Sequence, residues 1–145
     1  MKATRWVACI AGLWAGALLG VGLIGAPAGF ATGLREAAGR AAGRMFAQEA
    51  FLSLALAVVM SLLLRQRSPA PGQVHPGSIF STDLMLALGA LFCTVAGYFA
   101  LQPMMAAARA GEGALSFGAL HALSAGFYAV KTALVVALAW RLTAR

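Results

Sequence analysis

The sequence predicts an all-α integral membrane protein, a four-helix bundle of up-down topology with both termini in the cytoplasm. Three observations support this fold class. The 145 residues are 61% hydrophobic and only 10% charged, whereas soluble domains carry about 25% charged residues. The apolar residues fall into four runs, each near the ~20 residues that cross a bilayer. The segments between the runs are short and hold most of the basic residues. We therefore predict a single membrane domain over residues 1–145.

The first span is predicted at about residues 6–30. Its start resembles a secretory signal, because Lys2 and Arg5 precede an apolar run. That run, Trp6 to Ile24, is longer than the roughly 7–15 residues of a signal core. We therefore expect a membrane span here.

The second span is predicted at about residues 45–64, after a connector at 33–44. Within the connector, Glu36 and Arg40 are four residues apart in the favourable order, which predicts a short surface helix. A cytoplasmic loop is predicted at about residues 66–78. Its prolines cannot continue a helix.

The third and fourth spans are predicted at about residues 82–105 and 114–140. Ser81 or Thr82 is placed to cap the third span. Pro103 predicts a kink in this span or its end. Four crossings put both chain ends on one side of the membrane.

Basic residues predict the orientation. Six lie on the side of the termini and four on the opposite side: Lys2, Arg5, Arg65, Arg67, Arg141 and Arg145 against Arg35, Arg40, Arg44 and Arg109. The larger count favours cytoplasmic termini. The Ala/Gly/Arg-rich composition suggests a GC-rich bacterium and hence its inner membrane. The net charge of +7 does not predict nucleic-acid binding, since no basic stripe with interleaved aromatic residues is present. The expected partner is the lipid bilayer.

One face of the fourth span is polar. Steps of four and three residues separate Phe117, His121, Ser124, Tyr128 and Lys131, which places them along one side of a helix. In lipid such a face is expected to look inward, towards other helices or a hydrated cavity.

Depth along the helices predicts a polar pocket near the outer ends. At 1.5 Å per residue, Glu49 lies about 24 Å and His121 about 30 Å from the inner boundary, with Gln102 at a similar height to His121. Lys131 lies ~15 Å deep, near the bilayer midplane. We predict that Glu49, Gln102, His121 and Ser124 line the pocket and that Tyr128 and Lys131 form its floor.

Two interpretations stay open for each buried ionisable group. Lys131 is either held structurally by Glu49 or other buried oxygens, or handles protons or a ligand. His121 either locks the bundle through Glu49 or a backbone carbonyl, or binds a ligand, a proton or a metal. Met104 and Met105 are weak additional metal candidates, because methionine in an apolar helix mostly packs. No cofactor is expected.

Small residues four apart predict close helix packing. The positions are Gly12, Gly16 and Gly20 in the first span, and Gly118 and Gly126 in the fourth. These faces pack either within one chain or between chains, so a homodimer or a larger membrane complex is possible. Cys9 and Cys93 differ too much in predicted depth for a disulfide.

Several short motifs carry a family resemblance. Ala26-Pro27-Ala28 followed by Phe30, Gln102-Pro103-Met104-Met105 followed by Arg109, and Leu120-His121 with Ser124 resemble the transmembrane protein 205-like family (domain of unknown function 4149). The resemblance implies a four-span integral membrane protein. Two positions depart from it: Tyr128 stands where the family usually has Asn, and Lys131 has no known counterpart.

No phosphate loop, nucleophile elbow or zinc-protease motif is present in the sequence, so we expect a non-enzymatic protein. Our leading hypothesis is an outer-facing polar pocket that binds or conducts a small solute or cation. The alternatives are an accessory or assembly subunit of a larger membrane complex, and a haem- or metal-binding redox protein.

Overall fold

The protein is all-helical in the part of the chain that the structure, a computed structural model, describes: residues 2–31, 34–66 and 81–144. Within these ranges, four helices are long and apolar enough to cross a membrane: Arg5–Ala31, Arg35–Arg65, Thr82–Arg109 and Phe117–Thr143. We refer to them as the first to fourth spans. The predicted fold class of four membrane helices is thus confirmed. Apart from Gln66, the predicted loop at 66–78 lies outside the described residues.

The second span begins earlier than the sequence predicted, at Arg35 rather than at about residue 45. The connector therefore does not form a separate surface helix. Residues 35–44 contain no proline and four alanines, and alanine has the highest helix propensity. Nothing separates this segment from the apolar run that follows, so one helix of 31 residues results.

The third span continues past Pro103 and ends at Arg109. Its start is capped as predicted, because the Ser81 hydroxyl accepts the Leu84 N–H at 3.2 Å. The fourth span begins at Phe117, slightly later than predicted.

The four spans pack as a ring in chain order. Among the described residues, each span packs against the span before and after it, and the fourth packs against the first. The second and fourth spans therefore face each other across the centre. One half of the bundle is filled by apolar side chains, and we call it the sealed half: Val7, Ala11, Trp14, Leu18, Met60, Leu84, Val135 and Leu138 belong to its core.

An ion pair ties the third and fourth spans together in the sealed half. The Nε of Arg141 lies 2.8 Å from Oδ1 of Asp83. Asp83 is buried in the first turn of its helix, where an acidic side chain is favourable for the helix dipole. Arg141 is partly exposed.

The other half of the bundle opens into two helix pairs, and we call it the splayed half. There the segment Ala26–Ala31 packs on the second span, and Leu101–Arg109 packs on the fourth. Among the described residues, Ala26–Ala31 does not pack on the third or fourth span, and Leu101–Arg109 does not pack on the first or second span. The space between the pairs forms a cavity.

Two π-helical turns mark the level at which the pairs diverge. They cover Gly20–Gly25 in the first span and Val95–Ala100 in the third. Such turns are often found at functional sites. Three glycines in them allow close approach: a Cβ at Gly22 would lie 2.8 Å from the Tyr128 ring, and Cβ atoms at Gly25 and Gly97 would overlap Met45 and Phe127.

The glycines that the sequence indicated do not have this role. A Cβ at any of these positions would have no atom within 4 Å: Gly12, Gly16, Gly20, Gly118 and Gly126. This corrects the interpretation that these faces pack within one chain. Their packing against a second copy or another protein stays a prediction.

Candidate functional site

The cavity in the splayed half has a volume of about 300 Å³ and is lined by residues from all four spans. All six pocket residues indicated by the sequence line it: Glu49, Gln102, His121, Ser124, Tyr128 and Lys131. The polar face of the fourth span is therefore turned to this cavity along its length.

Burial increases from the mouth of the cavity to its floor. Gln102 and His121 are exposed, and Ser124 and Tyr128 are partly buried. Glu49 and Lys131 are only 5% and 3% exposed. The cavity thus leads from an open polar mouth to two buried ionisable groups.

The floor is an ion pair between the second and fourth spans. The Nζ of Lys131 lies 2.8 Å from both Oε1 and Oε2 of Glu49. Two charges removed from water are tolerated only with good geometry and further hydrogen bonds. This contact is the one expected if Lys131 is held structurally by Glu49.

Two residues that the sequence analysis missed complete the floor. The hydroxyl of Ser53 donates to Oε1 of Glu49 and accepts the indole N–H of Trp14 at 2.8 Å. Ser53 follows Glu49 by four residues, so it lies on the same helical face. That spacing was a signal in the sequence. The position of Trp14 depends on how the first span docks, which the sequence does not specify.

Hydroxyls of the fourth span bind one carbonyl just before the first π-helical turn and one within the second. Tyr128 donates to the carbonyl of Leu18 at 2.7 Å, and Ser124 donates to the carbonyl of Gly97 at 2.6 Å. Carbonyls freed by irregular turns need a partner in lipid. Both hydroxyls therefore have a structural role besides lining the cavity.

Aromatic rings surround the lysine. Its Nζ lies 4.8 Å from the centre of the Tyr128 ring, a cation–π distance. Phe46 meets the same ring edge-on, with the ring centres 5.2 Å apart. Aromatic rings therefore form part of the cavity wall beside the ion pair.

The mouth carries a positive charge. The guanidinium of Arg109 lies 4.5 Å from the centre of the Phe117 ring, and His121 stacks on that ring at 5.8 Å. The hydrogen-bond partners of Glu49 among the described residues are Ser53 and Lys131. Of the interpretations left open for His121, the one with a bond to Glu49 is therefore not the arrangement in the described structure.

Met104 and Met105, the weak metal candidates, lie in different environments. Met105 is buried and lines the cavity, whereas Met104 is exposed. Among the described residues, no three His, Cys, Asp or Glu side chains gather into a group that could hold a metal ion. Cys93 lines the cavity, Cys9 lies on the exposed side of the first span, and both thiols are free.

Comparison with known proteins places the chain in a family. Neither the curated proteins nor the solved structures gave a match. Residues 9–114 match the family profile described as Domain of unknown function (DUF4149). The match includes Glu49 and Gln102 and ends before the fourth span. Because it covers well over half of the sequence, the chain belongs to the DUF4149 family.

Proposed function

We propose that this membrane protein is non-enzymatic and binds a small solute in the cavity of the splayed half. The observation that supports this is a cavity of about 300 Å³ that leads to a buried ion pair. Ligand pockets have volumes of roughly 300–1,000 Å³ and combine apolar walls with a few polar groups. This cavity has both properties.

The charges favour a neutral or anionic solute over a cation. The charged residues that line the described cavity are Glu49, Arg109 and Lys131. Both oxygens of Glu49 are engaged by Lys131, so no free carboxylate is offered to a cation. The aromatic walls suit a solute with an apolar body.

The packing below the floor favours binding over open conduction. Trp14 and Leu18 are almost completely buried there, and Met60 and Leu138 pack in the same core. A solute that enters the cavity meets this packed half. Access from one side of the membrane is therefore the arrangement that we propose.

We further propose that both termini lie in the cytoplasm of a bacterium and that the cavity opens on the outer face of its inner membrane. The support is the count of six basic residues against four, which favours this orientation. The cavity lies at the end of the bundle opposite the termini.

Two tryptophan substitutions on one helix test the solute site. Both alanines are exposed; Ala125 lines the cavity, whereas Ala129, one turn away, does not. We expect the probes benzenesulfonamide or benzenesulfonate to bind purified wild-type protein and Ala129→Trp in calorimetry, and Ala125→Trp to bind neither. Absence of binding to the wild type, or equal binding to Ala125→Trp, would overturn the proposal.

A second candidate function is that of a subunit in a larger membrane complex. The supporting observation is the open space at Gly12 and Gly16 in the first span and at Gly118 and Gly126 in the fourth. Small residues on an exposed helix face let another helix approach closely in lipid. Mass measurement of the protein extracted from its native membrane in mild detergent tests this. A lone monomer or homodimer would contradict it.

A further inference from the structure

We infer that the cavity takes up an anionic solute together with one proton, and that Glu49 receives the proton when the anion takes its place beside Lys131. This inference rests on the proposed solute site. The proposed site is thereby assigned an anionic solute, whose binding is coupled to the uptake of a proton.

The first step is the charge at the floor. Lys131 and Glu49 are paired at 2.8 Å and almost completely buried, so their net charge is zero. An anion that joined them would leave one negative charge without compensation in a buried place, which is strongly unfavourable. Arg109 is at the exposed mouth, where water screens its charge. A proton on Glu49 restores neutrality.

The second step is the access to Lys131. Its ammonium has three N–H donors; its Nζ contacts both oxygens of Glu49 and lies over the Tyr128 ring. Lys131 also lines the cavity. An anionic oxygen that descends the cavity can therefore replace Glu49 as its partner.

The third step is the surroundings of Glu49. The groups around it include Trp14, through Ser53, from the first span, Cys93 and Thr94 from the third span, and Tyr128 and Lys131 from the fourth. Lys131 is the one charged group among them. His121 and Arg109 lie at the mouth. Among the described lining residues, Glu49 is thus the one carboxylate that can take the proton.

The exchange balances. Before binding, the floor holds the Lys131 ammonium and the Glu49 carboxylate. Afterwards it holds the ammonium, the anion and a neutral Glu49 carboxyl group, with one proton taken from solution. The net charge is zero in both states. The hydroxyl of Ser53, which bonds Glu49, can remain a partner of the neutral carboxyl group.

Calorimetry in two buffers of different ionisation enthalpy measures the proton directly. The probe is benzenesulfonate, which stays ionised throughout the working range, so the proton cannot reside on it. At about pH 8, where an ordinary histidine is neutral, we expect the wild type to take up close to one proton per anion. The affinity should fall about tenfold for each unit rise in pH. Benzenesulfonamide, of the same shape and uncharged, should bind without proton uptake.

Variants assign the proton. Glu49→Gln should bind benzenesulfonate without proton uptake and should be stabilised against heat by the anion, which then supplies the missing partner of Lys131. His121→Gln can change the affinity, because His121 lines the cavity, but it should keep the uptake of one proton for each anion bound. If Glu49→Gln does not fold alone, the double variant Glu49→Gln with Lys131→Met removes both charges. It should bind benzenesulfonamide but not benzenesulfonate.

The possible failures are distinguishable. Benzenesulfonate binding to the wild type without proton uptake would overturn the coupling and leave the solute site standing. Uptake that persists in Glu49→Gln and disappears in His121→Gln would put the proton on the imidazole and overturn the role of Glu49. Binding of benzenesulfonamide alone would overturn the anionic class. Absence of binding by both probes would overturn the proposed solute site as well.

Discussion

The Nζ of Lys131 lies 2.8 Å from each carboxylate oxygen of Glu49, although the backbones of the two helices that carry them do not approach each other closely. The pair spans the centre of the bundle and joins its second and fourth spans. Ser53 and Trp14 extend the connection to the first span. Removal of one partner would leave the other buried without compensation, whereas removal of both need not be costly.

Lys131→Met is expected to lower the free energy of unfolding by about 3–5 kcal/mol, because it leaves the Glu49 carboxylate unpaired. Combining it with Glu49→Met should recover most of that loss. Reversible unfolding in detergent micelles, measured as a double-mutant cycle, checks both values. A single variant within about 1 kcal/mol of the wild type would contradict the structural importance of the pair.

The other ion pairs are expected to contribute less, in the order of their exposure. Arg141 is 40% exposed, whereas its partner Asp83 is only 5% exposed, so Arg141→Gln should cost less than Lys131→Met but more than the loss of a fully exposed pair. Arg40 and Glu36 are largely exposed and 3.9 Å apart, so Arg40→Gln should have no measurable effect. The same unfolding measurement applies. A loss in Arg141→Gln equal to that in Lys131→Met would contradict this order.

Gly97→Ala is expected to destabilise the protein by about 1–3 kcal/mol, because the added methyl group would overlap the Cβ of Phe127, which cannot move without its backbone. Gly118→Ala is the matched control, since a methyl group there meets open space. It should be neutral or slightly stabilising. Thermal unfolding of both variants in the same detergent checks the difference. Equal stabilities would show that the third and fourth spans do not approach closely at Gly97.

Ser53→Ala is expected to cost about 1–3 kcal/mol, because it leaves the buried indole N–H of Trp14 without an acceptor. Ser61→Ala is the control on the same helix. The Ser61 hydroxyl is buried and has no hydrogen-bond partner in the described structure, so its removal should be neutral or stabilising. The free energy of unfolding should therefore be lower for Ser53→Ala than for Ser61→Ala. The reverse order would contradict the network at the floor.

Reporter fusions test the proposed orientation. A fluorescent protein fused after residue 144 should fluoresce, because it would fold in the cytoplasm, and alkaline phosphatase at that position should be inactive. Alkaline phosphatase inserted after Glu112, between the third and fourth spans, should be active. The opposite pattern would place the cavity mouth on the cytoplasmic face.

The number of spans could be predicted because hydrophobicity over a bilayer width leaves few alternatives. Their ends were less accessible. Arg35 to Arg44 form part of a helix because nothing interrupts it, although the segment is polar. Pro103 does not end the third span: it lies three residues after the π-helical turn Val95–Ala100, in the first turn of the segment Leu101–Arg109, where proline is tolerated.

The packing glycines could not be predicted from spacing. A π-helical turn adds a residue to the helical repeat and rotates all that follows by about 100°. Within the turn Gly20–Gly25, Gly22 and Gly25 face neighbouring side chains, whereas the series Gly12, Gly16 and Gly20 faces open space. Neither the hydrophobic periodicity nor the spacing of small residues reveals where a π-helical turn occurs.

The pocket residues could be grouped from the sequence. The helical repeat shows which residues share a face, and the rise of 1.5 Å per residue gives their depth in the membrane. The contact between Glu49 and Lys131 was less clear, since their predicted depths differed by about 9 Å. The long lysine side chain covers such a distance, and depth counting follows backbones only.

The order in which the chain is synthesised gives the ion pair a consequence for biogenesis. Glu49 leaves the ribosome 82 residues before Lys131, so the second span has to enter the bilayer while its carboxyl group has no lysine nearby. A protonated carboxyl group makes that step cheaper. The fourth span, in contrast, enters the bilayer after Glu49, so Lys131 can pair with it during insertion. We expect the isolated segment Phe117–Thr143 to insert poorly into microsomes, and Lys131→Leu to improve its insertion; equal insertion of the two segments would show that the lysine needs no such partner.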